Sequence, residues 1–226
     1  FAEEDKKRRE EVDTKNNAEN LCYQVEKLLN ENGLSVVDQP ISFEDVEDEA
    51  KLAKTVAFCR RFKVGFLYIP WFEGKSAEEW RAFCRRLDAA EAKLRPYGIR
   101  VGYHHHVHEL TTKIDGELPW DILTGPDGAR LEMDIGPVLE GGRNPAEEIA
   151  KMKGRLPSGI HAKPLGATAA GAAGDRQDWP KVVAAAEKSG VKWLVVECEK
   201  RQGTFDDIAE SARNLRPLVS LVNALR

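Results

Sequence analysis

From residue 34 onward, short apolar and β-branched runs alternate with stretches whose apolar residues recur every three or four positions. The runs are LSVVDQPIS (34–42), VGFLYIP (64–70), IRVGYHHH (99–106), ARLEMDIG (129–136), SGIHAKPL (158–165) and VKWLVVECE (191–199). Their starts are separated by 30, 35, 30, 29 and 33 residues. Such near-constant spacing, with helical patterns between, predicts repeated βα units and a parallel sheet. Helix-end signals agree. Ser76 stands three residues before Glu79 as a capping box, Asn144 precedes Pro145, and Asp178 opens a helix that stops at Gly190. Thr204 with Asp207 marks a last helix over roughly 205–225, and ATAAGAAGD (167–175) predicts a flexible loop.

Residues 1–33 have a different texture, dense in Glu, Lys, Arg and Asn. From Ala18 their sparse apolar residues (Leu21, Val25, Leu28, Leu29) recur at helical spacing, and Asn32-Gly33 is a helix stop.

Composition narrows the field. The chain is 42% hydrophobic and 32% charged, without an apolar run long enough to span a membrane. Its net charge of -4, from 38 acidic and 34 basic residues, gives no basic footprint for nucleic acid. The cysteines (22, 59, 84 and 198) form no CxxC pair, which predicts thiols in a reducing compartment; with no signal-peptide pattern, the cytoplasm is the expected location.

Side chains two apart on a strand share a face. On the last four runs that rule pairs His104 with His106, Glu132 with Asp134, His161 with Lys163, and Glu197 with Glu199. Each pair lies at the C-terminal end of its strand, where parallel barrels gather catalytic groups. All five histidines (104, 105, 106, 108 and 161) lie at strand ends. Mixed imidazoles and carboxylates suit Mn²⁺, Zn²⁺, Co²⁺ or Mg²⁺. Glu199, at its strand's edge, reads as solvated or as a group behind the ligands.

Four ordered motifs then carry a family resemblance. GYHHHVHEL (102–110) is similar to GYHNHxxEF, LEMDIGPVLEGGRNPAEEIAKMKGRLP (131–157) to ELDxGW…GxDPxxLLxxxxGRxP, GIHAKPL (159–165) to HxKD, and DWPKVVAAAEKSGVKWLVVECE (178–199) to DWPxxLxAAxxAGVxxxxVEQD. Residues 34–226 thus resemble the xylose isomerase-like TIM-barrel family of sugar phosphate isomerases and epimerases. The resemblance implies metal ligation by Asp134, His161 and Glu197, with His104 and the trailing Glu109 offered from the GYHHH strand. It also implies proton transfer beside a metal-bound carbonyl or hydroxyl of a sugar or cyclitol. Glu197, His106 and Lys163 are the candidate catalytic groups, and Trp71 and Tyr103 are candidate pocket walls whose stronger reading is a core role. Pro164, Pro137 and His105 depart from the family pattern, which leaves the substrate open. A keto-sugar or cyclitol dehydratase or lyase, and an apurinic-site endonuclease, share the fold; the acidic balance argues against the endonuclease.

The family barrel has eight strands and this chain shows six, so the fold expected is an incomplete α/β barrel lacking the first two βα units. Residues 3–29 resemble instead the helical lid of the seventy-kilodalton heat-shock chaperones, which suggests a fusion or a catalytically inactive barrel remnant. Open sheet edges predict pairing with a second copy of the chain.

Overall fold

Six parallel strands and intervening helices make up the computed structural model, which describes residues 2–157, 159–198 and 205–219. The strands are β1 (Gln39–Pro40), β2 (Phe66–Ile69), β3 (Arg100–His104), β4 (Leu131–Glu132), β5 (Gly159–Ala162) and β6 (Trp193–Val196). β1 to β4 form one sheet in chain order, and β5 pairs with β6. A parallel bridge between Asp134 and His161, with the His161 amide donating to the Met133 carbonyl at 2.8 Å, links the two sheets. The result is an incomplete parallel βα barrel with a helix, α1 (Ala2–Glu31), added at the front.

The helix signals operate as read. Ser76 Oγ accepts from the Glu79 amide at 3.1 Å, Asn144 Oδ1 from the Ala146 amide at 3.0 Å, and Asp178 from the Lys181 amide. Gly190 turns the chain at φ 83°. Trp80, Tyr103, Trp120, Leu131, Met133 and Ile149 are fully buried between helices and sheet. Each such side chain contributes about 1.5–3 kcal/mol relative to exposure.

Three expectations change. In the first run only Gln39–Pro40 pairs as strand, to β2, with the Ile41 amide donating to the Tyr68 carbonyl at 2.9 Å, and β1 has no second partner among the described strands. The last helix spans Phe205–Leu215 and tightens into a 3₁₀ turn at Arg216–Leu218, since Pro217 cannot continue it. Residues 220–226, like Thr204 and Glu199, lie outside the described residues.

Segment 167–175 is a docked loop rather than a loose one. Its Ala169 and Ala170 are fully buried. The Asp175 carboxylate accepts from the amides of Leu165 (3.1 Å), Gly171 (2.8 Å) and Gln177 (3.2 Å) and from the Trp179 indole. Ser211 and Asn214 on the last helix bind both backbone groups of Ala170.

α1 contributes no ladder. Arg61 reaches Glu19 at 2.9 Å and Glu26 at 2.8 Å, and Cys22 and Leu29 pack against the core, while Leu21, Tyr23 and Leu28 stay exposed. A cavity of about 710 Å³ opens beside it, lined by residues that include Leu29, Leu34, Val36, Phe62 and Trp193. That cavity is at the N-terminal ends of β2 and β6, away from the histidines. Among the described residues, no helix is long and apolar enough to cross a membrane.

Candidate metal centre

His104 closes β3, Asp134 follows β4, His161 lies within β5, and Glu197 follows β6. Their ligand atoms come within 4.8 Å of one another. Local structure explains the aim of each. Gly102 lets β3 approach β4, since a Cβ there would meet the Arg130 carbonyl at 2.6 Å. Asp134 caps the helix Ile135–Glu140, its Oδ1 accepting from the Gly136 amide at 2.9 Å, so Oδ2 is left toward the centre. His105, fully buried against Trp120, accepts the Asp134 amide on Nε2 at 3.2 Å and so fixes that residue's backbone. Gln177 donates to the carbonyls of Ile135 (3.0 Å) and Lys163 (3.1 Å), tying the segments after β4 and β5 together.

The charges interlock. His161 Nδ1 lies 2.7 Å from Glu197, and its Nε2 3.4 Å from Glu132. Burial pulls this imidazole down, but the two carboxylates outweigh burial and raise it to about 10. Lys163 Nζ stands 3.6 Å from Asp134 and 3.5 Å from Glu197. Burial and the Glu197 charge push the Asp134 carboxyl up. Burial also pushes Glu197 up, yet His161 and Lys163 prevail and hold it low. His106 is lowered to about 4 by burial and the neighbouring His104, so its ring is neutral at pH 7.

The donor set suits a divalent ion: two imidazoles and two carboxylates, with His104 Nδ1 buried and lacking a hydrogen bond. Glu109 lies elsewhere. Fully buried, it accepts from the Tyr103 hydroxyl and from the His106 amide at 2.9 Å, and groups with His106 and His108 instead of the four. Its carboxylate organises the turn after β3. Tyr103 is fully buried and packs on Trp80 and Phe83, a core role. Trp71 is half-exposed and covers His106 and His108, with ring centroids 4.5 and 4.7 Å away.

Two further acids join the centre. Glu132, read in the sequence only as sharing a face with Asp134, is fully buried between His104 and His161. Burial raises its carboxyl, but contacts with His104 and His161 bring it down to about 2. Asp38 groups with Glu132 and His161; burial and then the Glu132 carboxylate raise it to about 7. A signal for Asp38 was present in the sequence: a single acid inside the apolar run LSVVDQPIS.

No protein-family model matches the chain. Solved structures do share its architecture. A sugar phosphate isomerase/epimerase from Parabacteroides distasonis matches with TM-score 0.74 and 17% identity, over 88% of this chain and 79% of its own. A 3-keto-D-glucoside 4-epimerase from E. coli matches at 0.58 and 13%, over 88% and 84%. The IolI protein, solved with a zinc atom, matches at 0.56 and 15%, over 83% and 77%. At these identities the likeness is one of fold: a xylose isomerase-like TIM barrel, here with six strands among the described residues.

Proposed function

We propose that the chain is a divalent-metal-dependent isomerase or epimerase of a small sugar or cyclitol, working by proton transfer on the carbon beside a bound carbonyl or hydroxyl. The observation that carries this reading is the convergence of His104, Asp134, His161 and Glu197 at the ends of four strands, flanked by Lys163. The fold it shares with sugar isomerases and epimerases, and with a zinc-containing protein, supports it.

A divalent ion held by these four would polarise the substrate oxygen and acidify the adjacent C–H. The chain's own groups do the rest. Lys163 keeps Asp134 and Glu197 charged and points an ammonium where a developing oxyanion needs a donor. His106, neutral and beside His104, Lys163 and Glu197, is with Glu197 a candidate to move the substrate proton. Trp71 forms an apolar wall above the imidazoles.

Incubation with Mn²⁺, Zn²⁺, Co²⁺ or Mg²⁺ and panels of aldoses, ketoses and keto-cyclitols in D₂O tests the reading. Deuterium should enter the carbon next to the carbonyl, and Glu197→Gln should abolish its entry. No deuterium entry with any metal, or loss of water without isomerisation, would overturn it.

A further inference from the structure

Glu132 is the feature that a single-cation centre leaves unexplained. Its side chain has no exposed surface, and neither carboxylate oxygen has a hydrogen bond. Its neighbours, His104 Nδ1 and His161 Nε2, each lie 3.4 Å away, which is too long for a well-made charged hydrogen bond. Asp38 completes the group, with ligand atoms of Asp38, Glu132 and His161 all within 4.8 Å of one another. A fully buried carboxylate beside a half-buried second acid, met by imidazole nitrogens no nearer than 3.4 Å, is an arrangement that a cation would balance.

His161 sits between two acidic sides. Its Nδ1 meets Glu197 at 2.7 Å and its Nε2 faces Glu132. We propose that Asp38, Glu132 and the Nε2 edge of His161 form a second divalent-cation site, adjoining the first and sharing His161 as a bridging ligand. This inference rests on the reading of the first site. Bridging requires both ring nitrogens, so the imidazole gives up its N–H proton to solvent as the second cation binds. Two carboxylates and one imidazole favour Mn²⁺, Zn²⁺ or Mg²⁺ over soft ions. β4 and β5 supply two of the ligands on adjacent strands, while Asp38 comes from the segment leading into β1. The pair would let one substrate bind through two neighbouring oxygens, which suits a vicinal hydroxy-carbonyl.

The test is equilibrium dialysis against Mn²⁺ or Zn²⁺ alone, with metal counted per chain by mass spectrometry. The wild type should hold about two ions and Asp38→Asn about one. Asp38→Ser serves as a second variant, and circular dichroism checks that both fold. One ion in the wild type overturns the second site while leaving the first intact. Two ions retained in both folded Asp38 variants also overturn it. No ion at all removes both readings.

Discussion

His161 holds its proton to about 10 in the metal-free protein because Glu132 and Glu197 flank it. A cation must displace that proton, so the sign of the pH effect follows directly. Affinity should rise with pH throughout the neutral range, with about one proton released per first-site cation; calorimetry in buffers of different ionisation enthalpy measures the release. Gly136 is a second residue whose effect can be predicted. A Cβ there would meet Lys163 side-chain carbons at 2.8–3.0 Å, moving the ammonium away from Asp134 and Glu197. Gly136→Ala should keep the metal and fold while slowing deuterium exchange on the order of tenfold to a hundredfold, as misplacement of a positioned group does. Glu91, buried and bound to Arg100 and Arg130, makes a purely structural contrast. Burial raises its carboxyl, but the two guanidinium groups prevail and lower it from 4.5. Its contribution is therefore complete above 4.5 and fades as pH falls through the lowered folded value. Glu91→Gln should cost about 2–3 kcal/mol at neutral pH in denaturant unfolding, and the gap to wild type should close in acid.

Among the elements, β2, β3, β5 and β6 and the capped helices were legible because alternation, β-branched runs and Ser/Asn/Asp caps act locally. β1 was not legible at its true length. LSVVDQPIS has strand composition, but only neighbouring strands decide how much of it ladders. Loop 167–175 was misread for a related reason. Ala and Gly signal freedom when viewed locally, whereas burial of Ala169 and Ala170 under the last helix depends on Ser211 and Asn214 some forty residues away. Asp175→Ala would strand the Leu165, Gly171 and Gln177 amides and the Trp179 indole. It should cost about 1–3 kcal/mol and release hydrogen-exchange protection across 165–171. The candidate site follows the same division. Strand-end parity offered four pairs and the family resemblance singled out His104, Asp134, His161 and Glu197 from them, but the tertiary placement of Asp38 and the capture of Glu109 by Tyr103 required the folded chain.

For the whole molecule, the six strands leave β1 and β6 each with one laddered neighbour among the described residues, and α1 adds side-chain contacts without hydrogen-bonding to either. Such edges favour self-association, so light scattering should find a dimer or larger species. Substituting lysine for Val195, in the middle of β6, should shift that species toward monomer. The metal centre draws its ligands from β3, β5 and the segments after β4 and β6, all retained in the six-strand array. Its existence is most directly tested by anomalous diffraction from crystals equilibrated with Zn²⁺ or Mn²⁺. A peak is expected about 2.0–2.2 Å from ligand atoms of His104, Asp134, His161 and Glu197. An empty centre at full metal exposure, with those four side chains in place, would contradict it.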